Sequence, residues 1–92
     1  MSSLIVVERA LSEVRKTELD VARWPVWEKE VSRFPWTYDS PETCLLVAGE
    51  VVVTPVGGAP LTLRAGDLAT FPAGMVCEWN ITRALRKHYR FG

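Results

Sequence analysis

The spacing of apolar and polar positions changes once along this chain, near residue 20. "SLIVVE" (3–8) is a short apolar, β-branched run and predicts a first strand. "RALSEVRKTEL" (9–19) sets Leu11, Val14 and Glu18 at helical spacing among good helix formers, which predicts one short helix. Beyond Asp20 the helical period is lost and turn residues recur every several positions. "WPVWEKEV" holds Pro25 and reads as an edge strand or an irregular extended segment. "FPWTYD" is extended around Pro35, and "SPET" turns the chain at Pro41.

The remainder reads as a β-meander. "TCLLVAGEVVVTP" (43–55) gives two apolar strand halves that meet at Gly49. "VGGAP" (56–60) is a hairpin loop built on Gly57-Gly58. Leu61 and Leu63 alternate with polar neighbours before a turn at Gly66-Asp67. "LATFPAGMVCEWNI" (68–81) holds two strands joined through Pro72-Ala73-Gly74. In "LRKHYRF" (85–91), Lys87, Tyr89 and Phe91 share one face, and Arg86, His88 and Arg90 share the other. Many short strands with Gly/Pro turns predict an all-β sandwich or small barrel. Residues 1–19 are expected to belong to the same domain as a barrel over 20–92.

Composition narrows the class. The chain is 48% apolar with four Trp, which excludes a disordered protein. With 92 residues it holds a single small core, so burial in a homodimer would add stability. Eleven basic residues balance eleven acidic ones, leaving no electrostatic footprint for nucleic acid or an anionic membrane. The N-terminal apolar run of four residues is too short for a signal-peptide core, and no stretch approaches a membrane span of roughly 20 residues. Two cysteines, Cys44 and Cys77, make neither a disulfide scaffold nor a CxxC zinc knuckle. A cytoplasmic, soluble protein is the resulting expectation.

Two spacings carry the candidate chemistry. The first is W-x-Y-x3-E-x6-G, from Trp36 through Tyr38 and Glu42 to Gly49. The second is G-x5-P-x-G-x2-C, from Gly66 through Pro72 and Gly74 to Cys77. The glycines permit turns where a positive φ is required, and Pro72 pre-sets its own φ. Together these spacings resemble the paired motifs of the cupin superfamily, whose usual forms are H-x-H-x3-4-E-x6-G and G-x5-P-x-G-x2-H. "RWPVWEKEVSRFPWTYDSPETC", "GDLATFPAGMVCEW" and "RKHYRF" are similar to small cupins related to (S)-ureidoglycine aminohydrolase and to ethanolamine-utilisation-type cupins. The likeness covers about residues 20 to 92. It implies a jelly-roll (RmlC-like) barrel of six or more strands with one open mouth, commonly dimeric. The aminohydrolases it resembles are two-domain proteins with a metal site, whereas this chain is one domain.

Carried over residue by residue, the metal-ligand positions of the resemblance fall on Trp36, Tyr38, Glu42 and Cys77. Glu42 is an ordinary ligand and Cys77 is a second candidate, but Trp36 has no donor and Tyr38 is a poor one. Two donors fall short of the three or four that zinc, manganese or iron centres take from protein. A barrel without a catalytic metal or other cofactor is therefore expected. Alternation adds Cys44 and Leu46 to the face of Glu42, and Trp79 and Ile81 to the face of Cys77. The resulting pocket would be aromatic, with Trp36, Tyr38, Cys44, Cys77, Trp79 and Tyr89 as candidate ligand contacts. Glu42 and Lys87 are its candidate acid–base pair.

Each residue also has a structural reading. Trp36, Tyr38 and Trp79 serve equally as barrel core, and both cysteines as small buried hydrophobes. Glu42 needs a cationic partner, either Lys87 or Lys29 from "WEKE". Trp24 and Trp27 read as an end-cap or a dimer interface, Arg86, His88 and Arg90 as a solvated strand face, and Glu28 and Glu30 as surface charges. Three functions follow: binding of a small molecule in the aromatic pocket, hydrolase or lyase chemistry on a ureide-like or other small nitrogenous metabolite, and a protein-interaction module using an exposed Trp24/Trp27 face.

Overall fold

Seven antiparallel strands, one short helix and one 3-10 turn make up residues 4–92, the part of the chain that the computed structural model describes. In chain order they are β1 (Val6–Glu8), α1 (Glu13–Leu19), the turn Val21–Arg23, β2 (Val26–Lys29), β3 (Ser32–Thr37), β4 (Glu42–Pro55), β5 (Leu61–Arg64), β6 (Leu68–Phe71) and β7 (Val76–Phe91). Ser3, the first residue of the expected N-terminal strand, lies outside the described residues. No helix among the described residues is long and apolar enough to cross a membrane.

The two longest strands organise the rest. Residues 42–48 of β4 and 85–91 of β7 build one half of the sheet, in the order β1-β6-β4-β7-β2. Residues 50–55 of β4 and 76–83 of β7 build the other half, flanked by β5 and β3. The halves fold onto each other in a jelly-roll. Cys44, Leu46 and Leu85 from the first meet Val51, Val53, Leu63, Trp79 and Ile81 from the second in one core. The expected four short strands over 43–55 and 76–91 are thus two long ones, each bent at a bulge.

Gly49 explains the bend. The pairing of β4 with β7 shifts register on both sides of it, and its backbone sits at φ +91°. A side-chain carbon there would overlap the Ala84 carbonyl, so glycine is needed for the close approach as well as for the dihedral. Gly66 and Gly74, the other motif glycines, also lie at positive φ, 96° and 85°.

The N-terminal segment caps the outer face of the first half. The helix begins at Glu13, four residues later than expected, because Ser12 is the N-cap and accepts a hydrogen bond from the Arg15 N–H at 3.1 Å. Residues 9–11 are drawn to the β5–β6 turn instead. Arg9 Nη1 lies 2.6 Å from Asp67 Oδ2, and the Leu11 N–H donates to the Gly66 carbonyl at 2.8 Å. Leu11 is buried with Val21, Trp24, Leu45 and Leu68 in a second small core, whereas Val14 faces solvent. Neither Trp24 nor Trp27 forms the exposed face expected of an interaction surface. Trp24 is buried in this second core, and Trp27 is turned into the barrel. The basic row of β7 faces outward as expected, with Arg86 and Arg90 exposed; His88 is half-buried, its Nδ1 3.0 Å from the Trp24 carbonyl, and Arg90 lies 4.8 Å from the Trp24 ring centre.

Candidate functional site

Strand alternation and register together aim one set of side chains into the barrel mouth. On β7 the inward row is Cys77, Trp79, Ile81, then Leu85, Lys87, Tyr89 and Phe91 after the bulge. On β3 the register pairs Phe34 with Trp79 and Trp36 with Cys77, and on β2 it pairs Trp27 with Lys87. Directly paired residues share a face. These rows enclose a cavity of about 150 Å³ lined by Trp27, Phe34, Trp36, Tyr38, Glu42, Trp79, Lys87, Tyr89 and Phe91. Trp36, 45% exposed, and Phe91, 58% exposed, stand where the cavity meets solvent.

Its polar element is a buried ion pair. Lys87 Nζ lies 2.8 Å from Glu42 Oε2, and both residues are almost wholly buried. Lys87, not Lys29, is therefore the partner of Glu42; Lys29 lies 3.7 Å from Glu30 at the surface. The ammonium also sits 4.6 Å from the Trp79 ring centre, 5.0 Å from that of Trp27 and 5.9 Å from that of Tyr89. Removing an ion from water costs several kcal/mol. The carboxylate and three π faces together offset that cost. Glu42 Oε1 and the two remaining N–H groups of Lys87 hydrogen-bond to no other described residue. Unlike the Tyr38 hydroxyl and the Trp79 indole N–H, Glu42 Oε1 is not sealed off by the surrounding atoms.

The candidate ligand contacts divide. Trp36, Tyr38, Trp79 and Tyr89 line the cavity with Glu42 and Lys87, while Cys44 and Cys77 do not. Both thiols point inward and are buried in the main core without reaching the cavity wall. Cys44 stands between Glu42 and Leu46 on β4, and Leu46 is the register partner of Lys87. The Lys87 side chain must pass the level of Cys44 to reach Glu42. Burial pushes the Cys44 thiol up to about 12. Cys77 donates to the Trp36 carbonyl at 3.7 Å, and burial raises its thiol too. Desolvation, then the nearby Glu42 charge, holds the Tyr38 phenol far above its ordinary value. The Trp79 indole tempers the Tyr38 and Cys77 shifts without reaching hydrogen-bond geometry, since Tyr38 Oη and Trp79 Nε1 both lack a partner.

Phe91, read on the face of Lys87 and Tyr89, joins the wall, and Trp27 and Phe34, which were not among the sequence candidates, complete it. The alternation Phe34-x-Trp36 in a segment read as extended signals two residues on one face of β3 and could have found Phe34. Nothing local marks Trp27, because its place depends on the β2–β7 register. Phe34 stacks on Trp79 at 17° and 6.3 Å, and Trp27 meets the edge of Trp79 at 6.5 Å. Trp79 is the centre of the aromatic wall.

The four metal-motif positions do not fit a metal. Trp36 offers no donor, and the Tyr38 phenol and Cys77 thiol are held protonated by burial. The remaining donor, Glu42, is neutralised by an ammonium at 2.8 Å, against which a dication would have to sit. No three His, Cys, Asp or Glu side chains among the described residues converge on one point.

A bent jelly-roll with the motif residues Trp36, Tyr38 and Glu42 at its mouth defines a small cupin barrel. The EutQ-like cupin domain model matches residues 16–89, and the chain belongs to that family. It is similar to a DUF861 family protein from Thermotoga maritima at 42% identity and a TM-score of 0.93, covering 97% of this chain and 100% of that one. A DUF861 family protein of unknown function from Pseudomonas syringae is 29% identical with a TM-score of 0.64, over 70% of this chain and 28% of the other. The EutQ protein of Clostridium difficile shares the fold at 20% identity and a TM-score of 0.64, over 70% of this chain, which spans half the length of that protein. No curated protein matches this chain.

Proposed function

We propose that this chain is a cupin that binds a small molecule in its aromatic mouth and does so without a catalytic metal. The observation that carries the reading is the cavity of about 150 Å³, where aromatic walls surround one buried ion pair. Apolar walls with a few placed polar groups are the general make-up of a ligand site. A thermal-shift screen of small amides, ureides and sugars tests it, because a ligand that binds only the folded state raises the melting temperature. A saturable rise that weakens in Trp27→Ala is expected, and no rise with any compound sinks the reading. The working form is proposed as a cytoplasmic homodimer, since a chain of this length buries a smaller share of its surface than a larger domain does; sizing chromatography at micromolar concentration tests the dimer.

A second reading is favoured by the contact between Glu42 and Lys87. A carboxylate and an ammonium at 2.8 Å beside a cavity can accept and donate a proton to one bound molecule. Under it the chain is a hydrolase or lyase for a small nitrogenous metabolite. Its test is turnover: Glu42→Gln and Lys87→Met, each shown to be folded, should abolish product formation. Equal rates in both variants and the parent would remove it.

A further inference from the structure

Resting on the small-molecule reading above, we propose that the ligand is a neutral, planar, single-ring cyclic amide, read along the edge that carries its N–H and C=O. Three observations converge on this class. The first is charge. The cavity's one carboxylate and one ammonium already neutralise each other at 2.8 Å, in a wall otherwise dominated by aromatic side chains. A ligand with net charge would be left without a counter-ion in a poorly solvated site, where such burial is strongly unfavourable.

The second is hydrogen bonding. Among the described residues, Glu42 Oε1 is an acceptor without a donor, and Lys87 keeps N–H groups without an acceptor. The two belong to side chains in direct contact, so the ligand must present a donor and an acceptor on neighbouring atoms. An ordinary secondary amide is trans and points its N–H and C=O in opposite directions. Closing the amide into a ring forces them onto the same edge. The ring N–H then donates to Glu42 Oε1, and its carbonyl accepts from Lys87. A primary amide has the same edge, but its second N–H is left facing apolar rings without a partner.

The third is size and shape. A cavity of about 150 Å³ is the volume that accommodates a benzene ring in an apolar protein interior. Trp27, Phe34, Trp79 and Tyr89 offer it flat faces and edges.

The unmodified protein and five probes test the assignment, so no variant has to fold. 2-Pyridone carries the edge on a benzene-sized ring, and N-methyl-2-pyridone has a methyl group in place of the N–H. Benzoate and benzylammonium add a negative and a positive charge, and toluene offers shape alone. Binding is followed by the indole N–H resonances of Trp27 and Trp79. Saturable binding of 2-pyridone is expected, with N-methyl-2-pyridone and both charged probes weaker by about tenfold or more, the loss of one hydrogen bond to a charged group. If N-methyl-2-pyridone or benzoate binds as tightly as 2-pyridone, edge recognition of a neutral amide is wrong while the pocket reading stands. Toluene binding tighter than 2-pyridone has the same meaning. If none of the five binds up to millimolar concentration, the class falls together with the pocket reading.

Discussion

Lys87 Nζ meets Glu42 Oε2 at 2.8 Å although the strand register pairs Lys87 with Leu46, four residues from Glu42 along β4. At the usual strand rise that offset is about 13 Å, so the lysine lies along the strands rather than across them. Its stem covers the layer of Cys44, and its charge is delivered to the barrel mouth.

This arrangement makes the pair costly to break and cheap to replace. Glu42→Met or Lys87→Met alone should cost about 3–5 kcal/mol, because each strands a buried charge. For a domain of this size that lowers the melting temperature by roughly 12 °C or more. The double variant should be more stable than either single one. Additive losses in calorimetry would show that the two charges are not coupled.

The buried thiols make alkaline stability a second test. The folded state holds the Cys44 proton more tightly than the unfolded chain, raising the thiol from 9.0 to about 12. Its contribution is therefore complete below pH 9 and is lost as pH climbs toward 12, by about 4 kcal/mol at the upper end. Cys77 and Tyr38 are shifted in the same direction. Urea midpoints should fall steeply over this window, and Cys44→Ala should flatten part of the fall. A slope unchanged in that variant would exclude Cys44 as its source.

Gly49→Ala tests the bend. The added carbon meets the Ala84 carbonyl and the backbone must keep φ +91°, so a loss of about 3 kcal/mol is expected. Gly57→Ala at φ +77° meets nothing within reach and isolates the dihedral contribution. Equal losses in urea denaturation would show that the close approach does not matter.

The donor set at the motif positions predicts that zinc or manganese, added in excess and removed by gel filtration, leaves well under one ion per chain by elemental analysis. Trp36→His, Tyr38→His and Cys77→His combined with Lys87→Met should raise that value toward one. Stoichiometric metal on the parent chain, lost in Glu42→Ala, would contradict the assignment.

Much of the fold was legible because strand signals are local. The β-branched runs, the Gly/Pro turns and the motif glycines 49, 66 and 74 fixed the class and placed the turns. The helix start was misplaced because Leu11 has helical spacing but answers to a contact with the β5–β6 turn, a residue pair far apart in the chain. The motif resemblance put Tyr38 and Glu42 on inward faces, alternation added Trp79, Lys87 and Tyr89, and the absence of histidine from the motif positions was plain to see. Alternation gave the direction of each side chain and nothing about depth. Cys44 and Cys77 point the same way as their neighbours yet do not line the cavity.

Depth and neighbourhood were decided by tertiary structure. Phe34 and Trp27 enter the wall only because β3 and β2 pair with β7 in one particular register. Trp24 is buried only because the N-terminal segment folds back over the first half of the sheet. The sequence by itself determined a β-rich jelly-roll with an aromatic interior and no histidine ligands. Which carboxylate meets which lysine, and which aromatic rings surround them, depends on pairing between distant strands, and that is set by packing the whole core at once.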